Sequence, residues 1–465
     1  MSDFKAKFQS RVTVSPADLF KWHTMRGAFN RLTPPWQDVT LQLAPDEIID
    51  GTQAVLEFKL GPIRRPWVAE HFDVKVGEGF SDSALHGPFP KWEHVHTFLK
   101  TEEPNTSVLS DEITYRLPLG WLGAALGRGF ARKELERLFW YRHEVTRLDA
   151  ERHWAQRFPR EGTILITGSS GLVGRELTAL LQSLGYRVRG LTRSPNHTDQ
   201  YFWSPQTGTI DEAALEGVDA VVHLAGAGVA DKRWSKSYRE EILRSRELGT
   251  RLLAETMAKM THPPKALICA SGANAYPLDG NPHDETGPKG DGFLSQVVEA
   301  CESSADAARD AGIRVAHLRL GVVLTPSGGA LKKMLPAFII GAGGPIGTGE
   351  QAFSWIGLHD ALDVFLQAIE DERYVGPINV VAPHVPTQKE FAKTLGKVLR
   401  RPAIIPLPAG VVRTLFGNDL ANETLLADLH LVPQKLKDHG YDWRHENLED
   451  ALRYCLGRPS ELSPR

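Results

Sequence analysis

Three glycines at a regular spacing carry the strongest chemical signal in the chain. Gly168, Gly171 and Gly174 form a GxxGxxG pattern that follows the short apolar run TILIT (163–167) and opens a helix-like segment. The first glycine permits a sharp turn, the second lets a pyrophosphate approach the backbone, and the third lets helix and strand pack closely. The helix N-terminus adds unpaired N–H groups and a positive dipole end. The pattern predicts a dinucleotide-binding loop, with a flexible surface loop as the alternative.

The end of the next strand discriminates between the two nicotinamide dinucleotides. An acid about 20 residues beyond the loop binds the ribose 2′-OH of NAD, whereas an arginine accommodates the 2′-phosphate of NADP. The sequence has Leu-Thr-Arg-Ser at 191–194, with Arg193 and no acid. Because a guanidinium pairs with phosphate through a fork of donors, we predict NADP(H) in preference to NAD(H). The alternative is a solvent-facing arginine.

Short apolar strands alternate with helix-like segments from about residue 161 onwards. This rhythm is typical of a doubly wound parallel α/β sheet of the Rossmann type. We predict a Rossmann core at 163–330 and a small C-terminal substrate lobe at 331–465, which includes a segment that returns to the sheet. The predicted strands are TILIT (163–167), YRVRGLTR (186–193), VDAVVHLAG (218–226), KALICAS (265–271) and RVAHLRL (314–320).

Residues 1–150 have a different pattern, with strands first and one long helix last. Ala131, Leu135, Leu138 and Phe139 share one face of the predicted helix at 131–148. Strands followed by a helix indicate an α+β domain. The charged stretch 151–162 is predicted to be the linker. The segments with strand-like alternation are 4–14, 54–60, 92–99 and 108–117.

Length and composition restrict the class of protein. A chain of 465 residues is too long for one core and predicts more than one domain. The net charge of −3 argues against a nucleic-acid binder. Cys269, Cys301 and Cys455 lie far apart and form no CxxC pair, which fits a reducing cytoplasm. No apolar run is long enough for a signal peptide or a membrane span, so we expect a cytoplasmic protein.

The second part of the chain resembles the extended short-chain dehydrogenases/reductases, and more narrowly the epimerase-family proteins of the SulA type. The resemblance covers about 162–456 and implies a DUF1731-like region at about 403–450. It rests on the glycine loop, HLAG (223–226), ADKRW (230–234), SRELGT (245–250), LRLGVVLTPSGG (318–329), GGPIGTG (343–349), FSWIGLHDAL (353–362) and the C-terminal LPAGVVRTLFG and LVPQKLKDHGYDWR.

Two segments of the first part are distinctive: GPFPKWEHVHTF (87–98) and a late helix that ends in FWYRH (139–143). In these segments the first part resembles the START-like family (SRPBCC, polyketide cyclase/dehydrase). The resemblance implies a helix-grip domain over 1–150, in which a curved sheet and a long helix enclose a cavity for an apolar small molecule. The alternative is that the many aromatic side chains of this part simply fill its core.

The resemblance to the dehydrogenases implies a set of cofactor contacts. Arg193 would meet the adenosine phosphate, Ser271 would lie near the nicotinamide, and Gly321 with Val322 would lie beside the carboxamide. The residues that would hold the pyrophosphate are Gly168, Ser169, Ser170, Gly171, Leu172, Val173 and Gly174, and those beneath the riboses are Leu224, Ala225 and Gly226.

One expected motif is missing. Short-chain dehydrogenases use a Tyr-x-x-x-Lys pair on one helix face, in which lysine lowers the tyrosine pKa and the phenol exchanges a proton with the substrate. The corresponding segment here is DGFLSQVVEACE (291–302), with Phe293 and Val297 at the two positions. No other YxxxK occurs in the chain. Tyrosine-dependent redox chemistry is therefore in doubt.

Other residues are candidates to replace the pair. Ser271 and Tyr276 are the catalytic candidates, although Ser271 as a strand-end cap and Tyr276 as a packed aromatic are the alternatives. The candidates for contacting substrate are Lys232, Arg233, Trp234 and Trp355, with a solvated helix start and a core tryptophan as alternatives; Asp284 and Glu285 are further acid–base candidates, with a turn cap as the alternative.

No metal site is predicted. His94 and His96 point the same way on a strand and could bind zinc, but we identify no acid or third histidine that would complete a site with them.

Two functions follow from these observations. The first is an NADP-dependent oxidoreductase or epimerase that acts on a small substrate, which could be hydrophobic. The second is a non-catalytic NADP(H)-binding sensor whose START-like domain receives the ligand. The retained nucleotide loop and substrate lobe favour the first function, and the missing Tyr/Lys pair favours the second.

Overall fold

The chain forms two compact units. The computed structural model describes residues 3–45, 47–60, 63–118, 120–154 and 158–460. The first unit comprises Met1–Glu161, Ala179–Tyr186 and Leu456–Arg465, and the second comprises Gly162–Thr178 and Arg187–Cys455.

A seven-stranded antiparallel sheet forms the framework of the first unit. Its strands are β1 (Phe4–Val12), β2 (Val39–Leu43), β3 (Gln53–Leu60), β4 (Ile63–Lys75), β5 (Gly79–His86), β6 (Lys91–Lys100) and β7 (Ser107–Arg116). The spatial order is β1-β7-β6-β5-β4-β3-β2. Strand β1 shows why the residues form a sheet: alternate side chains are exposed and half-buried along its length, as the period of two in FKAKFQSRV predicts.

Three helices accompany this sheet: α1 (Pro16–His23), α2 (Ala28–Leu32) and α3 (Gly120–Asp149), the last continuing as a π-helical turn over Ala150–Trp154. The apolar stripe predicted on α3 is confirmed, because Leu135 and Phe139 are buried in the core and Ala131 and Leu138 pack against them. The ring of Phe139 stacks on Phe8 of β1 with centroids 4.7 Å apart. The helix begins earlier than predicted. Its first turns are rich in glycine, a poor helix former, and the sequence pattern therefore did not indicate a helix there.

A buried ion pair joins α2 to the end of α3. The guanidinium of Arg31 donates to both carboxylate oxygens of Asp149 at 2.8 Å, and the two side chains are 1% and 0% exposed. Burying two charges is costly unless each is paired, so the contact fixes the position of α2 against the helix.

A parallel sheet lies at the centre of the second unit, as predicted. Its strands and the shorter ones around them are β8 (Thr163–Thr167), β9 (Arg187–Thr192), β10 (Gln200–Ser204), β11 (Thr209–Ile210), β12 (Ala220–His223), β13 (Ala266–Gly272), β14 (Pro282–His283), β15 (Arg314–Leu320), β16 (Val322–Leu324), β17 (Trp355–Gly357), β18 (Gly376–Val380) and β19 (His430–Leu431). The main sheet has the order β11-β10-β9-β8-β12-β13-β15-β18, in which only β11 is antiparallel to its neighbour. The pairs β14-β19 and β16-β17 form two small sheets.

The helices that begin in this unit connect its strands and form its C-terminal part. They are α4 (Leu172–Ser183), α5 (Lys236–Lys259), α6 (Phe293–Ser303), α7 (Asp306–Asp310), α8 (Gly329–Ile339), α9 (Leu358–Glu370), α10 (Gln388–Leu399), α11 (Ala409–Phe416), α12 (Asn418–Glu423), α13 (Gln434–Asp438) and α14 (Leu448–Cys455). The strand order reverses between β8 and β12, and ligands of doubly wound sheets bind at the carboxyl edge of such a switch point.

All three cysteines are buried and unpaired. Across the described ranges, no helix is both long and apolar enough to cross a membrane.

Removing one partner of the Arg31–Asp149 pair tests how much this ion pair contributes to the stability of the first unit. We expect Asp149→Ala to lower the free energy of unfolding of the first unit by about 3–5 kcal/mol, because the guanidinium of Arg31 stays buried without its carboxylate. The exposed pair of Lys7 and Glu112 in the same unit provides a control, and Glu112→Ala should cost about 1 kcal/mol or less. Urea unfolding followed by fluorescence measures both, and equal effects of the two substitutions would contradict the assignment.

Candidate functional site

The predicted cofactor residues of the second unit follow the carboxyl ends of its parallel strands. In the sheet register Thr167, the last residue of β8, lies beside His223 of β12 and Leu191 of β9. The glycine loop, the turn after β12 and the residues after β9 therefore emerge at the same edge of the sheet. The topology brings these three segments together at the switch point.

The glycine loop has the close backbone contacts that its sequence predicts. Gly168 has φ +70°, and a Cβ atom there would lie 2.9 Å from the amide nitrogen of Ala225. A Cβ atom on Gly174 would overlap the carbonyl oxygen of Gly168. The amide of Gly171 donates to that same oxygen at 2.9 Å, and α4 begins at the next residue, Leu172. The loop therefore presents the N-terminus of a twelve-residue helix at the switch point.

Thr167 links the glycine loop to the turn after β12. Its hydroxyl oxygen accepts from the amides of Leu224 and Ala225, each at 3.2 Å, and lies 2.7 Å from Nδ1 of His223. Burial lowers the pKa of His223 to about 4, so this imidazole is neutral. The turn then runs outwards, with Leu224 and Ala225 half-buried and Gly226 exposed.

Arg193 follows β9 directly and is exposed. Its side chain makes no hydrogen bond or ion pair to any residue that the structure describes. The glycine loop lies close to this strand, since a Cβ atom on Gly190 would be 3.2 Å from Oγ of Ser169. The guanidinium is therefore available for an anion near the loop.

Arg246 is a second cation at this edge, and the sequence reasoning did not assign it a role. It lies on α5 and donates from Nη1 to the carbonyls of Ala227 and Ile242, at 2.9 and 3.2 Å. A Cβ atom on Gly226 would lie 3.3 Å from its Cζ. Within the described ranges no carboxylate pairs with it, and burial lowers its pKa. The sequence signal that could have identified Arg246 is its position in the motif SRELGT (245–250).

The two catalytic candidates are already engaged in a polar network. Ser271 donates to Oε1 of Glu302 at 2.9 Å, and Glu302 forms an ion pair of 2.7 Å with Arg319. Arg319 also donates to the hydroxyl of Tyr276 at 2.7 Å, and this hydroxyl donates to Oδ1 of Asn379 at 2.8 Å. Tyr276 is 2% exposed and burial raises its pKa. Tyr276 is a catalytic candidate in the sequence, but its phenol lies in the interior, as the packed-aromatic alternative predicts.

Apolar side chains occupy the two positions of the missing pair. Phe293 and Val297 are 8% and 3% exposed and pack with Tyr238 and Ile242 of α5. The ring of Trp234 lies edge-on to Phe293, with centroids 5.0 Å apart. This face of α6 contributes no titratable group at either position.

The loop before α5 contains three residues predicted to contact substrate, of which one is half-buried and two are exposed. Trp234 is half-buried and its indole N–H donates to the carbonyl of Val229 at 2.9 Å. Arg233 is exposed and donates to the carbonyl of Thr414 in the C-terminal lobe at 3.2 Å. Lys232 is exposed, with its nearest carboxylate partner 3.8 Å away. Trp234 thus faces α6, and the two cations lie at the surface.

A carboxylate from the C-terminal lobe caps the N-terminus of α6. Glu423 accepts from the amides of Phe293 and Leu294 at 3.0 and 2.7 Å, and its carbonyl accepts from the side-chain amide of Asn274 at 2.8 Å. The sequence reasoning missed both Glu423 and Asn274. The N-cap residue of α6 is Gly292, which has no side-chain acceptor, and this indicated that the cap must come from elsewhere.

Other predicted residues lie in structural positions. Trp355 is 0% exposed and its indole donates to the carbonyl of His384, so the expectation that it contacts substrate is corrected. Asp284 accepts from the amide of Thr286, as the turn-cap alternative predicts. Glu285 accepts from the amide of Asn379 at 2.9 Å.

Gly321 and Val322 remain accessible beside the returning segment. A Cβ atom on Gly321 would lie 3.0 Å from the carbonyl of Ser354, which also accepts from the amide of Val322 at 2.9 Å. The close approach of β17 therefore depends on glycine here. Both residues are half-buried and follow β15 at the same sheet edge as the glycine loop.

Comparison with known proteins assigns the family. The NAD dependent epimerase/dehydratase family matches residues 164–381, and a domain of unknown function, DUF1731, matches residues 407–455. An epimerase family protein of Mycobacterium bovis, Mb2239, is 36% identical over 301 residues, which are 64% of this chain and 98% of that protein. The chain belongs to the epimerase family.

Two solved structures resemble this member of the family. The nucleoside-diphosphate sugar epimerase from Corynebacterium glutamicum has a TM-score of 0.81 and 29% identity, and the match covers 98% of this chain and 91% of that one. The human epimerase family protein SDR39U1 with NADPH has a TM-score of 0.58 and 35% identity, over 63% of this chain and 98% of that one.

A single methyl group at Gly174 tests the loop geometry. We expect Gly174→Ala to weaken dinucleotide binding by about tenfold or more, because the added Cβ overlaps the carbonyl oxygen of Gly168 and displaces the loop. The control is Gly410→Ala in α11, where a Cβ atom meets nothing within 4 Å. Calorimetric titration with NADPH measures both, and unchanged affinity in Gly174→Ala would show that the loop does not hold the nucleotide.

Proposed function

We propose that the second unit binds NADP(H) at the carboxyl edge of its parallel sheet and uses it as an oxidoreductase or epimerase on a small substrate. The observation that carries the proposal is the exposed Arg193 guanidinium, which lacks a protein partner in the described ranges and lies beside a glycine loop that opens a helix. The human relative that is 35% identical was solved with NADPH, which supports the same cofactor here.

The residues at the switch point divide the binding of the nucleotide among them. The loop 168–174 would bind the pyrophosphate with the free amides of α4, because these amides carry the positive end of the helix dipole. Arg193 would pair with the 2′-phosphate, and the turn 224–226 would pass beneath the riboses. Arg246, which lies against Gly226, adds positive charge on this side of the turn. Gly321 and Val322 would contact the carboxamide.

The substrate would lie against an apolar wall. Bound NADPH supplies a hydride, and Trp234, Phe293 and Val297 form an apolar and aromatic surface where a dehydrogenase of this type normally has Tyr and Lys. This favours a small substrate with an apolar part. The exposed Lys232 and Arg233 would accommodate an anionic group. We assign proton transfer neither to Tyr276, which is buried, nor to the two positions on α6.

A non-catalytic sensor is the second candidate function. The observation that favours it is that Phe293 and Val297, which have no proton to donate, occupy the positions of the usual Tyr and Lys. In this proposal the first unit is a START-like helix-grip domain that binds an apolar molecule. The support for that domain is its architecture, an antiparallel sheet with the 30-residue helix α3 packed through Phe139 on one face.

Substitution of Arg193 tests the choice of cofactor. We expect Arg193→Ser to weaken NADPH binding by about tenfold or more and to leave NADH binding unchanged, because a charge-assisted hydrogen bond to the 2′-phosphate contributes about 1.5–3 kcal/mol. Arg187 is an exposed arginine at the opposite end of the same strand, so Arg187→Ser is the matched control. Equal losses for NADPH and NADH in Arg193→Ser would contradict the assignment.

Turnover distinguishes the enzyme from the sensor. We expect the full chain to oxidise NADPH in the presence of at least one member of a panel of aliphatic and aromatic carbonyl compounds. The loss of NADPH absorbance measures this reaction. Tyr276→Phe should retain activity wherever it folds, because its hydroxyl lies in the interior. Tight NADPH binding without oxidation by any carbonyl would overturn the oxidoreductase proposal and leave the epimerase, which consumes no net NADPH, and the sensor.

A further inference from the structure

A cluster of histidines and aspartates lies in the first unit, far in sequence from the nucleotide loop. We call it the His–Asp cluster; its members are Asp82, His94, His96, Asp111 and His143. The sequence analysis predicted no metal site because it identified no acid that would complete a site with the two histidines of β6. That premise is wrong, since two aspartates flank them in the folded sheet.

The register of three neighbouring strands creates the cluster. His94 and His96 are two residues apart on β6 and therefore project from the same face. Asp82 of β5 pairs directly with His94, and Asp111 of β7 pairs directly with His96. The aspartates are distant in sequence, and only the two hairpins bring them beside the histidines.

Asp111 orients the imidazole rings. Its Oδ1 lies 2.9 Å from Nε2 of His94 and 2.7 Å from Nδ1 of His96, and its Oδ2 lies 2.7 Å from Nε2 of His143. Ser10 holds the other nitrogen of His143 at 2.8 Å. An ionised carboxylate only accepts hydrogen bonds, so Nε2 of His94 and Nε2 of His143 carry the hydrogen atoms. Nδ1 of His96 lies close to Asp111 but is not aligned for a hydrogen bond with it.

The opposite nitrogens of the same two rings converge on Asp82. Nδ1 of His94 and Nε2 of His96 lie 3.4 and 3.7 Å from the same oxygen, Oδ2 of Asp82. These distances exceed the 2.7–3.2 Å range of a protein N–H···O hydrogen bond. The two aspartates raise the pKa of His96 to about 9, so in the metal-free chain this ring carries a second proton. A metal ion would displace that proton, and Nδ1 of His94, Nε2 of His96 and Oδ2 of Asp82 would then face one cation.

The spacing and the donor set fit a transition metal. Zinc–nitrogen and zinc–oxygen bonds of about 2.0–2.2 Å in tetrahedral geometry separate neighbouring ligand atoms by roughly 3.4 Å. One ligand atom from each of Asp82, His94 and His96 lies within 4.8 Å of the other two. Two imidazoles and one carboxylate are typical of sites that keep a position open for water or a ligand.

We propose that Asp82, His94 and His96 bind a divalent metal ion of the zinc class, and that Asp111 is the carboxylate that orients the imidazole of His94. Metal-bound histidines usually donate their second ring nitrogen to a carboxylate, the role that the geometry gives Asp111. The side chains of Asp82 and His96 are 15% and 11% exposed, which provides an entry path for the ion. The ring of Phe80, 4.4 Å from that of His96, forms an apolar wall beside the site.

Metal content and titration test the proposal. The full chain, purified without a polyhistidine tag and stripped with a chelator, is titrated with Zn²⁺ in a calorimeter. We expect one high-affinity equivalent in the wild type, and about a tenfold or larger loss of affinity in Asp82→Asn and in His96→Gln. His86 is an exposed histidine on the same strand as Asp82, so His86→Gln should bind as the wild type does.

The controls keep the result interpretable if a variant misfolds. Circular dichroism reports whether each variant is folded. Thermal unfolding gives a second readout, because an ion that binds only the native state raises Tm in the wild type and not in His96→Gln. Co²⁺ serves as a spectroscopic probe whose visible bands should change on His96→Gln. Zn²⁺ affinity that is equal in wild type and both cluster variants would overturn the proposal and leave the cluster a hydrogen-bond network.

Discussion

The site at the switch point of the parallel sheet depends on the close approach of two loops, the glycine loop and the turn after β12. Thr167 accepts hydrogen bonds from the amides of Leu224 and Ala225, and the absence of a side chain at Gly168 lets that second turn pass within contact distance. Because β8 and β12 are adjacent, the helix that follows the first loop directs its free amides towards the space above both. Wider separation of the loops would remove the cradle for a pyrophosphate.

The charged and apolar side chains around this site indicate which kind of ligand and chemistry it favours. Arg193 and Arg246 approach from the two flanking sides without a carboxylate partner in the described ranges, whereas Arg319 is neutralised by Glu302. Arg193 has no protein partner in the described ranges, Arg246 donates to the carbonyls of Ala227 and Ile242, and Arg319 belongs to the framework. Phe293 and Val297 are apolar, so this member of the epimerase family has no tyrosine and lysine at the two positions on α6. Residues of the site therefore suit nucleotide binding, but none at these two positions can transfer a proton.

Local patterns predicted the parallel α/β sheet and the tight glycine loop that opens α4. The period-two strands, the alternation of strand and helix and the glycine spacing are short-range signals, and the structure contains the corresponding elements. Long-range contacts were not predictable in this way. Glu423 reaches the N-terminus of α6 from the C-terminal lobe, and Asp82 and Asp111 reach the histidines of β6 only through strand register. Tyr276 and Trp355 had the right chemistry, but the sequence did not reveal their burial.

A crystal structure of the full chain grown with NADPH tests the central claim most directly. The account predicts electron density for the nucleotide at the carboxyl edge of the sheet, with pyrophosphate oxygens within hydrogen-bond distance of the backbone amides at the start of α4 and the 2′-phosphate on the guanidinium of Arg193. Density for the 2′-phosphate elsewhere, or a saturated crystal with no nucleotide at this edge, would contradict it.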